Sequence, residues 1–350
     1  MKVAYVGGYW GTNIGNAFFN MGADYFLKQK FGNENVKIIM DQPGYIQSFS
    51  KKKKNPKNSI NLIKLLDVDY VVLLGPMLSR AFLYIWKETL LFLKSRNIKY
   101  MLLSAGMMKC TQKNIDEIKE FFKECPPYVL MSRESKTYEV FKDCAKYSYD
   151  GVCFAFFTPD VYKPQKYICD NNLVINFDKM IEPQIKFNGK KTDFNFDGYN
   201  WSLKFNKLIK KVGGKTDRIS DLLVYLLSIF PHKQKNTTIG DYHIIRPDHR
   251  FLPMFKKKVY RYQNSFAGDC PQTYIDIYSM AKLTLSDRVH ACAITLAYGN
   301  YAMLFSKTSR SALLDRVGAT NIQKEPTKID LNFLNEEKRK MIEWFSNIEF

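Results

Sequence analysis

The stretch Leu285-Ser-Asp-Arg-Val-His-Ala-Cys-Ala-Ile-Thr-Leu-Ala-Tyr-Gly299, followed by Tyr301-Ala-Met-Leu-Phe-Ser306, decides how this chain is built. A short apolar strand ends in the polar knot Ser286-Asp-Arg-Val-His290. A helix of small residues then runs to Gly299. A second apolar strand leads to a basic, hydroxyl-rich turn, Lys307-Thr-Ser-Arg-Ser311. Apolar strands joined through a helix belong to an open parallel sheet, in which ligands sit outside the carboxyl ends of the strands. Two neighbouring strands therefore deliver Arg288, His290, Lys307, Arg310 and Ser311 to one place. Fixed cations, a titratable imidazole and a helix N-terminus suit a small polyanion.

The same alternation fills the first half. Val3–Val6, Val36–Met40, Tyr70–Leu74, Tyr100–Ser104 and Tyr128–Met131 read as strands. Helical stretches lie between them at Asn16–Phe31, Tyr84–Ser95, Gln112–Glu124 and Ser135–Cys144. Near-continuous apolar strands separated by amphipathic helices predict a parallel sheet covered on both faces. The polar run Pro164–Asn172 ends this unit, and Leu173–Phe177 opens a second one. Its further elements are a helix at Asp221–Phe230, a strand at Tyr242–Ile245 and a helix at Gln272–Ala281. Residues 1–170 are expected to form one Rossmann-like domain and residues 171–330 another. The C-terminal segment 331–350, whose amphipathic stretch is Asp330–Phe345, is placed to pack back on the first domain. Asp178–Gly214 and Pro247–Ala267 read as long irregular stretches. Two Rossmann-like domains with parallel sheets facing a cleft make an α/β chain of GT-B-like architecture, which by itself assigns no function.

Bulk properties narrow the class. The chain has 350 residues, 46% of them apolar and 15% aromatic, which is a globular composition. It carries 53 basic against 34 acidic residues, a formal charge of +19, so an anionic partner is expected. Biased codon composition would produce the same surface. The seven cysteines show no CxxC pairing, and Cys153 and Cys292 sit in apolar runs, as reduced core thiols of a cytosolic protein do. Met1–Gly8 reads as a first strand and not as a signal peptide. The most apolar window, Tyr70–Leu93, is broken by Arg80, Lys87 and Glu88, so the protein is expected to be soluble or peripheral to a membrane. The run Lys51–Lys57 reads as a solvated loop, with contact to anionic headgroups as the sharper alternative.

Other constellations point to the same cleft. The turn Gly7-Gly-Tyr-Trp-Gly-Thr-Asn-Ile-Gly-Asn16 follows the first strand, and Thr12, Asn13 and Asn16 could hydrogen-bond a ligand there. It lacks GxGxxG spacing, which disfavours a dinucleotide. A plain tight turn would use the same glycines. Ser132-Arg-Glu-Ser135 marks a strand-to-helix passage, where Arg133 either reaches the cleft or serves the helix start. His290, at the first helical turn beyond a strand's carboxyl end, is the foremost catalytic candidate. His232, His243 and His249 lack such a setting. No HExxH, DxD or Cys/His ligand spacing is present, so no metal or cofactor is required.

Ser286-Asp-Arg-Val-His-Ala291, with Gly299 and then Arg310-Ser311, resembles the polysaccharide pyruvyltransferase family. The resemblance extends to Asn13-Ile-Gly15, to Ser132-Arg-Glu-Ser135 and to Asp150. It departs from the family pattern at Arg310, where a lysine is typical, at Asn300-Tyr301, and at Gly75-Pro-Met77, where a longer glycine run is usual. The resemblance implies transfer of pyruvate from phosphoenolpyruvate, as co-substrate, onto two hydroxyls of a sugar in polysaccharide or glycolipid synthesis. Arg288, Arg310, Lys307 and Ser311 would then hold the donor, and His290 would act as general acid. The acceptor side would belong to the first domain. A lipid-linked acceptor at the inner face of a membrane fits the charge of the chain, and a cytoplasmic location follows.

Two other readings compete. A GT-B glycosyltransferase using a nucleotide sugar shares the fold and the anionic donor. A nucleic-acid-binding protein is suggested by Phe255-Lys-Lys-Lys-Val-Tyr-Arg-Tyr262, but no recognised nucleic-acid module accompanies it, so no nucleic-acid partner is expected.

Overall fold

A computed structural model describes the chain except for residues 12, 41–59, 179, 181, 206–235, 250–261 and 307. Thr12, Lys307, the Lys51–Lys57 run, the helix expected at Asp221–Phe230 and nearly all of Phe255–Tyr262 therefore lie outside the described residues.

The first unit is a six-stranded parallel sheet. Its strands are β1 (Val3–Gly7), β2 (Val36–Met40), β3 (Tyr70–Leu74), β5 (Lys99–Ala105), β7 (Val129–Ser132) and β8 (Tyr147–Asp150), in the order β2-β1-β3-β5-β7-β8. Two short strands, β4 (Leu78–Ser79) and β6 (Met107–Met108), pair beyond the carboxyl ends of β3 and β5 and build a small ledge there. Helices α1 (Gly15–Phe31), α2 (Phe82–Ser95), α3 (Gln112–Glu124) and α4 (Ser135–Phe141) form the crossovers. Helix α3 begins in a capping box between Thr111 and Asn114, which satisfies two otherwise orphaned amides.

In the second unit, β9 (Asn172–Asn176), β14 (Tyr242–Pro247), β16 (Ala281–Ser286) and β17 (Tyr301–Leu304) are parallel, with β13 (Thr238–Ile239) antiparallel at the edge and the short β15 (Ser265–Phe266) pairing parallel with the end of β14. Helices α5 (Pro271–Ser279) and α6 (Val289–Ala297) flank β16. Every residue of α6 is buried, as its Ala-Cys-Ala run predicts for a helix enclosed on all sides.

One expectation is corrected here. Much of the stretch expected to be irregular, Asp178–Gly214, is an antiparallel three-stranded sheet of β10 (Gln184–Phe187), β11 (Phe194–Phe196) and β12 (Tyr199–Lys204). Phe196 pairs with Tyr199 across Asp197-Gly198, at φ 55° and 79°. Two positive φ angles in a two-residue loop define the turn that matches strand twist. The buried Trp201 seats this sheet on the second unit: its ring lies 5.9 Å from Phe194 and 5.4 Å from Tyr242.

A single apolar core joins the two units. Phe154–Phe157 forms a buried turn that packs against both α1 and α6. Gly22 makes this fit possible, because a Cβ there would lie 1.9 Å from the Phe154 carbonyl oxygen. The terminal helix α7 (Leu331–Ser346) lies along α1, with Phe345 4.8 Å from Phe26 by ring centroid. Lys30 reaches the Ile348 carbonyl at 3.0 Å. With each buried Phe contributing about 1.5–3 kcal/mol, this packing holds α1 between α7 and the Phe154–Phe157 turn, which also touches α6. No helix among the described residues is long and apolar enough to cross a membrane.

Candidate active site

Residues 8–20 form the first wall of the cleft between the units. Gly8 exchanges two hydrogen bonds of 2.9 Å with the Asn20 side chain, which locks the turn after β1 onto α1. Asn16 donates to the Tyr9 carbonyl, and Asn13 donates to Asn16. Both asparagines line a cleft of about 470 Å³. The apolar side of that cleft includes Phe19, Leu74, Met77 and Trp86, and its polar end holds Arg133, His290 and Arg310.

His290 sits on α6 directly opposite the start of α1. A Cβ at Gly15 would stand 3.1 Å from the His290 Cβ and 3.3 Å from its Nδ1, so glycine lets the two helices approach this closely without displacing the imidazole. The Phe19 ring meets the imidazole edge-on at 5.4 Å. Burial pushes the His290 pKa well below its ordinary value, and the charges of Arg133 and Arg310 and the nearby His249 push the same way. The imidazole is therefore neutral at physiological pH when no anion is bound.

Arg133 is only 1% exposed. It leaves β7 at its carboxyl end, flanked by Ser132 and Ser135, whose hydroxyls both donate to Asp150. Glu134 stands 4.0 Å from its Nε, and among the described residues neither Nε nor Nη1 has a hydrogen-bond partner. Burying a guanidinium with donors unmet is costly and is a mark of a group kept for a ligand. Arg310 comes from the turn after β17, lies against the Met108 sulfur at 3.0 Å, and faces the same space.

The other expected donor contacts are placed differently. Arg288 donates through Nε to Asp178 at 3.0 Å, and it faces a narrow cavity of about 30 Å³ behind His290. Asp287, adjacent to it, accepts the amides of Asp178 and Met180. Burial raises the Asp287 pKa, while Arg288 opposes that shift. The Ser311 hydroxyl donates to the Thr308 carbonyl inside its own turn. In this arrangement Ser311 holds its own turn and Arg133, Arg310 and His290 meet in the cleft, while Arg288, whose Nη2 is buried without a hydrogen-bond partner among the described residues, shares the narrow cavity with His290 and Arg310.

His249 is a neighbour that sequence reasoning set aside. Its carbonyl accepts the Ile14 amide at 2.7 Å, tying the second unit to the start of α1. Its Nε2 bonds the buried Tyr278 hydroxyl, whose pKa burial raises. The signal was present: His249 follows the carboxyl end of β14 just as His290 follows that of β16.

The family model for polysaccharide pyruvyl transferases matches residues 13–302, which spans both walls of this cleft. The chain belongs to that family. Among curated proteins none matches it. Similar solved structures include S. aureus MnaA in a co-structure with UDP, at 9% identity and TM-score 0.50, covering 99% of this chain and 90% of that one. A UDP-N-acetylglucosamine 2-epimerase, at 8% identity and TM-score 0.50, covers 100% and 91%. The likeness is one of fold, and the architecture is GT-B-like. Family membership makes the chain a pyruvyl transferase of polysaccharide synthesis, acting on a sugar acceptor.

Proposed function

We propose that the chain transfers the enolpyruvyl carbon skeleton of phosphoenolpyruvate to two hydroxyls of one sugar, closing a cyclic ketal. The observation that supports this reading best is the buried Arg133, with Nε and Nη1 unmet among the described residues, sharing a cleft with Arg310 and His290. The donor carries a carboxylate and a phosphate on the same carbon, and two guanidiniums match both groups with forked hydrogen bonds. Asn13 and Asn16 offer amide groups, and Trp86 with Phe19 offers flat apolar surface, as a sugar ring requires.

In the proposed chemistry the donor's methylene carbon takes a proton as the double bond shifts, leaving an oxocarbenium-like centre at the neighbouring carbon. One sugar hydroxyl attacks that centre. A second then displaces the phosphate and completes the ketal. Of the two hydroxyl protons, one replaces the proton delivered to carbon and the other leaves with the phosphate. His290 supplies the first proton. Without a bound anion its imidazole is neutral, because burial and then the charges of Arg133 and Arg310 disfavour its charged form. A bound trianion offsets those charges and raises its pKa, so the acid is formed only when the donor is in place.

Thermal melting with phosphoenolpyruvate and with UDP tests the reading. Stabilisation by about 2.7 kcal/mol is expected at a hundredfold excess of phosphoenolpyruvate over its Kd. A response to UDP alone would move the chain to nucleotide-sugar chemistry on the same fold.

A further inference from the structure

The cleft continues beyond Arg310. On the far side of Met108 lies a second arm of about 560 Å³, lined by Lys109, Lys136, Thr308, Ser309 and Glu134, with Met108 and Arg310 shared between the two arms. Its cations arrive from three separate segments: Lys109 just beyond β6, Lys136 in the first turn of α4, and Arg310 in the turn after β17. Neither lysine has an ion-pair partner among the described residues, whereas Lys123 and Lys142 rest on Glu120 and Glu139. The one acid of the arm, Glu134, is engaged by its own surroundings: its Oε1 accepts the Met107 amide and the Thr137 hydroxyl, and its other oxygen lies towards Arg133. Three like charges drawn around one cavity repel one another, and a bound anion removes that repulsion.

We propose that this second arm is a phosphate-binding subsite separate from the donor's. Lysine ammoniums act as point charges that suit a tetrahedral phosphate, and the Thr308 and Ser309 hydroxyls can donate to its remaining oxygens. Both lysines are exposed, so a ligand held there has room for a larger remainder in solvent. The phosphate has two available sources: the inorganic phosphate released from the donor, or a phosphate ester on the acceptor. The inference rests on the preceding reading only in placing phosphoenolpyruvate in the first arm.

The test is calorimetric titration of inorganic pyrophosphate into the chain saturated with phosphoenolpyruvate, using wild type and the double variant Lys109→Ala/Lys136→Ala. Wild type should bind pyrophosphate with the donor present. The double variant should bind it about tenfold more weakly or worse, with a melting temperature no lower than that of wild type and an unchanged response to phosphoenolpyruvate. Competition of pyrophosphate with the donor, or equal binding by the double variant, overturns the subsite. A failed donor reading shows itself separately, as a wild type that phosphoenolpyruvate does not stabilise, and pyrophosphate titration of the free chain then still tests the lysines. Orthophosphate and glucose 1-phosphate separate the sources. Preference for orthophosphate assigns the arm to the released product, and preference for the ester assigns it to the acceptor. Binding of neither overturns the proposal.

Discussion

Replacing Arg133 with methionine should make the protein more stable and leave it unable to respond to its donor. The side chain is 1% exposed, with two nitrogens unmet among the described residues and its nearest carboxylate 4.0 Å away. Each buried group left without a hydrogen bond costs about 1–3 kcal/mol. Methionine keeps most of the volume and removes the charge. Glu134 keeps its Oε1 bonds to the Met107 amide at 3.2 Å and the Thr137 hydroxyl at 2.7 Å, while its buried Oε2, without a hydrogen-bond partner among the described residues, loses Arg133 as its nearest cation, which offsets part of that gain. The net gain should be roughly 1–3 kcal/mol, a rise in Tm on the order of 1–4 °C for a chain of this size. The loss in the cleft is larger. Two charge-assisted hydrogen bonds to the donor contribute about 1.5–3 kcal/mol each, so Kd should weaken by about two to four orders of magnitude. Differential scanning fluorimetry with and without phosphoenolpyruvate reads both effects at once. A variant that melts below wild type, yet gains as many degrees from phosphoenolpyruvate, would refute the reasoning.

Three further outcomes follow from named contacts. His290 has a lower pKa folded than unfolded, so below about pH 6.5 the unfolded chain takes up a proton that the folded chain refuses. This group's share of stability is complete above that pH and falls by at most about 1.4 kcal/mol per unit as pH drops; urea titrations at several pH values should show this slope disappear in His290→Gln. Gly22→Ala places a methyl group 1.9 Å from the Phe154 carbonyl oxygen and should cost about 3 kcal/mol or more in urea unfolding; by shifting α1 it should also blunt the phosphoenolpyruvate response. Gly198→Ala meets no atom within 4 Å but must hold φ at 79°, so chemical denaturation should show a loss of only about 1 kcal/mol, with donor binding unchanged.

Much of the fold was legible because its strands are buried on both faces. Val71-Val-Leu-Leu74 and Leu102-Leu103 cannot lie at a surface, and the amphipathic stretches between such runs have to cover them. The sheet β10-β12-β11 was missed because its strands, although they alternate apolar and polar residues, are short and lie within a polar, lysine- and asparagine-containing stretch. Its signal was local: Asp197-Gly198 between alternating segments marks a two-residue hairpin. In the site, His290 and Arg310 were readable from their position after the carboxyl ends of β16 and β17. Arg133 and His249 satisfy the same rule after β7 and β14, and they escaped weight because nothing in the sequence shows that four strand ends from two sheets face one cleft. The engagement of Arg288 was hidden for a similar reason. Its partner Asp178 lies 110 residues away, and only the folded sheet brings the end of β9 beside that of β16.

The most direct test of the central claim is a structure of the chain crystallised with phosphoenolpyruvate. The donor should lie in the cleft, with its carboxylate and phosphate on Arg133 and Arg310 and its methylene carbon facing the His290 ring. Donor bound elsewhere, or Arg133 still without an anionic partner in the occupied cleft, would contradict the account.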